Sequence, residues 1–401
     1  MNERKLKRMI LATAPPDEIG AQRRGWRVTR AAFSEREPTP WPERHRRLLT
    51  AGAVGAALLL AAVSPPGRAV IGGVRDAVGT ERVVVRAPAA QQARTGPIRL
   101  PAGGRLLVAA PSGVWFVSAQ GTRRRVGAYE EASWSPGGRL VGASTRHQLA
   151  AVTPRGRVRW TLARPRTHSP RWSPSGSRIA YLSGGNLRVV AADRTADTRI
   201  DAAESVAPAW RPGGENVLAY SGSDGTVTVV STDDRVTRWT AAGSATSPAQ
   251  LDWSADGERL LVVRNLEGGR LALVVFDGDG RRLQYLELAG TPIEAAFSPN
   301  DHRIALVRRV GPRSELLVIE SDALRRQTVV FSGQGRFSDV AWSPDGSWLV
   351  LGWQSADQWL FIRSADVSKV SAISSLAVQF DPSGGSAGAF PRIEGWCCPR
   401  G

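Results

Sequence analysis

The chain has 401 residues, 42% of them apolar, and its 42 glycines and 26 prolines suit a large core of short strands joined by tight turns. Its net charge of +17 comes from 50 arginines and only three lysines (Lys5, Lys7 and Lys369), spread along the chain. That pattern reads as compositional bias and excludes a concentrated basic–aromatic stripe for nucleic acid. The cysteines, Cys397 and Cys398, are adjacent, which excludes a disulfide framework or a cysteine-based metal site.

Residues 1–47 hold 12 basic and six acidic side chains. Leu6, Met9, Ile10 and Thr13 have helical spacing, and Pro15-Pro16 ends that run. Asp17 can cap a second helix carrying Ile19, Trp26 and Phe33 on one face. The segment reads either as two short helices that dock a cytoplasmic regulator or as a basic tail along the membrane. Residues 48–67 are uncharged and form the expected transmembrane helix; a buried core helix and a cleaved signal peptide are the alternatives. Arg44, His45, Arg46 and Arg47 precede it, which predicts a single-pass protein with a cytoplasmic N-terminus and the remainder outside the cytoplasm. Residues 68–98 read as a Gly-, Ala- and Pro-rich linker.

From 99 to 385 the sequence repeats. An aromatic-Ser-Pro-x-Gly phrase recurs, in full or in part, at Trp134, Trp172, Trp210, Trp253, Phe297 and Trp342, at spacings of 38, 38, 43, 44 and 45. Periods near 40 built only of strand-like segments predict an all-β propeller with four strands per blade. Each aromatic ends a strand and packs between blades, while Pro and Gly make the turn into the next strand. A later strand recurs seven times, from Val114-Trp-Phe-Val-Ser to Trp359-Leu-Phe-Ile. That is one more than the anchors. Phe380, followed by Asp-Pro-Ser-Gly-Gly, is the expected seventh anchor, with Leu376–Phe380 as the strand completing the first blade. Seven blades are favoured, with six as the alternative.

Trp342-Ser-Pro-Asp-Gly followed by strand, turn and strand resembles the repeat of TolB-type, or WD-like, propellers. The resemblance implies a scaffold that binds another envelope protein. It transfers no binding residue.

Catalytic signals are thin. Ser386 lies in Gly-Gly-Ser-Ala-Gly, but all four histidines precede it, so a nucleophile–histidine relay is not expected. His147, His168 and His302 fall in different repeats, and Asp277-Gly-Asp279-Gly lacks the glutamate of a calcium loop. No catalytic, cofactor or metal residue is assigned. Residues 386–401 read as a tail in which Cys397 and Cys398 form a vicinal disulfide, link to another chain, or stay in a disordered end. The expected function is a membrane-anchored, non-catalytic scaffold of the cell envelope that binds a protein or small ligand on a loop face. The alternatives are an anti-sigma-like signalling protein acting through residues 1–47, and a hydrolase or lyase with its site in the propeller channel.

Overall fold

A computed structural model describes residues 98–203, 206–213, 216–243, 248–381 and 389–398. The expected cytoplasmic helices, transmembrane helix and most of the linker lie outside the described residues, as does Ser386. Among the described residues, no helix is long and apolar enough to cross a membrane.

The described residues form seven four-stranded antiparallel sheets, the blades of a seven-bladed β-propeller. Blade 1 combines β1 (Arg105–Ala110), β2 (Gly113–Ser118) and β3 (Arg123–Gly127) with β28 (Arg392–Cys397) from the far end of the chain. Blades 2 to 7 each use four consecutive strands. Their innermost members are β4 (Glu131–Trp134), β8 (Thr167–Trp172), β12 (Ala209–Trp210), β16 (Pro248–Trp253), β20 (Thr291–Phe297) and β24 (Val340–Trp342). These six and β28 are neighbours in an unbroken ring.

The core is divided into seven apolar wedges, one at each blade junction. Each wedge contains the aromatic that ends an innermost strand, so the anchors pack between blades as the repeat phrase predicted. Trp172, for example, packs on Leu149 and Ala151 of blade 2 and on Ile179 and Tyr181 of its own blade. Several anchors add a polar tie. The Nε1–H of Trp134, Trp210 and Trp342 donates to the carbonyls of Gly395, Arg171 and Ala296, at 3.3, 2.9 and 3.0 Å. In each case the acceptor directly precedes the anchor of the previous blade. The pattern lapses at Trp172 and Trp253, whose Nε1–H groups are buried without a protein acceptor. W342F keeps most of the packing and removes one tie, so it should cost about 1 kcal/mol. A chemical-denaturation midpoint unchanged from wild type would assign the junction to packing alone.

The Ser of the repeat phrase has a role that spacing did not reveal. The Oγ of Ser135, Ser173, Ser254 and Ser343 accepts the N–H five residues on, at 2.9 to 3.0 Å, clamping the turn. All four are buried. The turn ends on glycine with positive φ, as at Gly176, Gly257 and Gly346.

The expected closure occurs through a different segment. Leu376–Phe380 is a single helical turn, not a strand. A strand would put Leu376, Val378 and Phe380 on one face. Instead Leu376 and Phe380 are fully buried and Val378 is 69% exposed, the i, i+4 pattern of a helix. Phe380 is thus not a blade anchor. It packs against Trp115 and Trp359, with ring centroids 5.8 and 5.4 Å away, and plugs the junction of blades 7 and 1. The seventh anchor is Trp396. It pairs with Leu106 in the register that Trp342 takes with Leu349. The propeller therefore extends past 385 into the expected tail.

Candidate functional site

Strand alternation directs residues one and three places before each anchor towards the propeller axis. At the third place stand Glu131, Gln250, Glu294 and Asp339; at the first stand Arg171 and Asp252. β28 adds Arg392 and Glu394, the latter at a break in its pairing with β1. Together they line a central cavity of about 540 Å³ with five carboxyls and two guanidiniums.

Most of these acids are engaged by backbone. Innermost strands of neighbouring blades splay too far apart to form a ladder, and side chains bridge the gap. Asp252 accepts the N–H of Phe297 at 2.8 Å, Asp339 that of Ile393 at 2.9 Å and Glu394 that of Ala132 at 3.3 Å. Glu131 accepts the N–H of Ser169. Gln250 does the same work without charge, accepting the N–H of Ala295 at 2.8 Å and donating to its carbonyl. Glu294 makes no such bond among the described residues.

Burial raises the proton affinity of Asp252, Glu294, Asp339 and Glu394. Burial lifts Asp252 to about 6, against the pull of the Phe297 and Trp253 N–H groups and Arg171. Asp339 is lifted to about 7, chiefly by burial, with Glu394 adding to the effect. Glu294 is raised well above the usual carboxylate range by burial and then by the charges of Asp339 and Glu394. Burial also raises Glu394, although Arg392 lies 3.0 Å away. Glu294, Asp339 and Glu394 therefore titrate as a set.

Outside the channel, one mixed cluster joins residues from two repeats. Asp256, Glu258 and His302 place their ligand atoms within 4.8 Å of one another on the rim between blades 5 and 6. Sequence spacing gave no sign of it, because His302 reaches Asp256 across a blade junction. Burial opposes ionisation of Asp256, but Ser254, the Glu258 N–H and His302 together hold it down at about 2. The geometry is that of a His302–Asp256 hydrogen bond latching two turns. His147 and His168 are elsewhere and join no such group among the described residues. Asp277 caps its own hairpin, accepting the N–H groups of Asp279 and Arg281, so it serves the turn. Cys397 and Cys398 are joined as a vicinal disulfide at the end of β28.

No family model matches the chain, and no curated protein does. Solved structures do. A chain of a mitotic checkpoint complex is similar at 15% identity and TM-score 0.50, covering 67% of this chain and 92% of that one. The Cps50 (Swd1) β-propeller domain of Myceliophteria thermophila follows at 12% identity and TM-score 0.49, covering 61% and 83%. Hsv2p of Kluyveromyces lactis is at 14% and 0.48, covering 65% and 89%. At these identities the likeness concerns the fold.

Proposed function

We propose that this chain is a membrane-anchored, extracytoplasmic propeller of TolB-like type, a non-catalytic scaffold that binds another protein of the cell envelope on a loop rim. The observation that carries the scaffold reading is the use made of the channel carboxylates. A channel hydrolase needs acids free to exchange protons with a substrate. Here four of the five channel acids, Glu131, Asp252, Asp339 and Glu394, are each held by a backbone N–H of the next blade, and among the described residues Glu294 is the one that is not. They brace the ring, which in turn fixes the loops at its rims. The uncharged run at 48–67, with Arg44, Arg46 and Arg47 before it, supports the anchor and its direction.

Fractionation and protease protection test the placement. The full chain should stay with membranes through an alkaline wash. Protease added outside the cytoplasmic membrane should digest the propeller and spare a tag at residue 1. Release by the wash would sink the anchor, and protection of the propeller would reverse the orientation. Photo-crosslinkers at the rim hairpins, such as Gly268 and Gly311, should join one discrete envelope protein. Crosslinking only to soluble cytoplasmic proteins would overturn the docking reading.

A further inference from the structure

The rim from which the Ser-Pro turns emerge carries a cleft of about 850 Å³ between blades 1 and 2. Five arginines line it: Arg105, Arg124, Arg139, Arg155 and Arg157. No carboxylate lines it. Arg124, Arg139, Arg155 and Arg157 are exposed and make no ion pair among the described residues. Some arginines elsewhere are neutralised. Arg178, Arg259, Arg270, Arg303 and Arg308 each meet an aspartate or glutamate. Exposed arginines without an ion pair among the described residues also occur on other blades, as at Arg199, Arg325 and Arg326, but here five converge on one cavity that no carboxylate lines.

The cleft is also built. Arg105 donates to the carbonyls of Gly138 and Gly137 at 3.3 and 3.2 Å, and its guanidinium lies over the Trp134 ring at 5.5 Å. It is fixed rather than free to swing away. Gly156 lets the blade 2 hairpin approach blade 1, since a Cβ there would lie 2.8 Å from the Val126 carbonyl. That approach carries Arg155 and Arg157 towards Arg124. Gly138 packs against both sulfurs of the vicinal disulfide, beside Arg105. Phe116 gives an apolar patch, and Thr122 and Thr153 add hydroxyls.

Cations gathered without counter-charges repel one another and concentrate anions. Guanidinium forks match phosphate oxygens two at a time. We propose that this cleft binds multivalent phosphate anions, carried either by anionic lipid headgroups or by a soluble phosphate polymer. The proposal rests on the charge and geometry of the cleft and is independent of the protein-docking reading.

Calorimetric titration of the full chain in zwitterionic detergent at low salt tests it, with inorganic tripolyphosphate in one arm and phosphatidylglycerol-doped micelles in the other. At least one probe should bind, more weakly as salt rises. R124Q/R155Q/R157Q should weaken that binding about tenfold or more while melting like wild type, because all three side chains are exposed. R199Q/R325Q/R326Q removes the same charge from exposed sites on other blades and should change affinity by less than about twofold. Response to tripolyphosphate alone identifies a soluble anion as the source, and response to the lipid alone identifies a headgroup. Equal weakening by the two triples would show diffuse charge and overturn the site. Failure of both probes would overturn it too, including the case in which only an oligonucleotide binds.

Discussion

A chain ending at Phe390 should melt roughly 10 °C or more below the full chain, or fail to accumulate as folded protein. The deletion removes β28, and with it Ile393 and Trp396, each 7% exposed, from the junction of blades 7 and 1. It leaves β1 with an unpaired edge. It also strips Asp339 of the Ile393 N–H and Ala132 of the Glu394 carboxylate. Trp396→Ala isolates one part of this loss and should cost about 3–5 kcal/mol, the usual range for a buried tryptophan. A chain ending at Cys398 should melt like the full protein. Indistinguishable melting of the two truncations would make β28 a passive tail and restore Leu376–Phe380 as the candidate for closure.

At pH 8, E294Q should be more stable than wild type, and at pH 4.5 the two should differ little. The sign follows from linkage. Glu294, Asp339 and Asp252 hold their protons to higher pH folded than unfolded. The folded chain thus binds more protons between their ordinary values near 4 and their folded ones, and stability falls as pH rises through that window. Lifting Asp339 from 3.8 to about 7 corresponds to at most ~4 kcal/mol, reduced where solvent reaches the channel. Glu294 is the cleaner test because glutamine abolishes its charge without removing a bond. Thermal melts of wild type and E294Q across pH 4.5 to 8 should converge at the acid end. Parallel curves, or a less stable E294Q at pH 8, would show that Glu294 is ionised at no cost and that the channel set is not coupled.

Much of this fold is legible in the sequence because a propeller repeats one physical solution. A wedge between blades needs a large flat side chain, so Trp or Phe recurs; the turn beyond it needs Pro and a positive φ, so both recur. The serine was equally visible, and its meaning appears only with the N–H it clamps five residues away. The seventh anchor was missed because Trp396 is followed by Cys-Cys-Pro, where the phrase has Ser-Pro-x-Gly. β28 has no next strand to turn into; its partner is β1. Phe380 was misplaced because Leu-x-Val-x-Phe satisfies alternation and helical spacing alike over five residues. The channel carboxylates did leave a signal. Glu131, Glu294 and Asp339 stand three residues before an anchor, and Gln250 fills the same place. What spacing cannot convey is that Glu131, Asp339 and Gln250 each reach across to a neighbouring strand. The arginine cleft is assembled from three turns of two blades, so a count of arginines along the chain gives no hint of it.

The pairing of β28 with β1 also bears on the order of assembly. The Trp396 indole bonds to Gly103 across 293 residues of chain. During synthesis, six blades can be complete while the first still lacks its innermost member. The entropy of closing so long a loop, compared with one spanning a single repeat, is under about 2 kcal/mol, so waiting is thermodynamically cheap. The hazard is kinetic. Until the last strand arrives, β1 offers Leu106 and Val108 and a row of open N–H and C=O groups to any passing extended segment. Another copy of β28 fits that vacancy as well as the chain's own does. Strand exchange between two newly made molecules is therefore the assembly error this architecture invites.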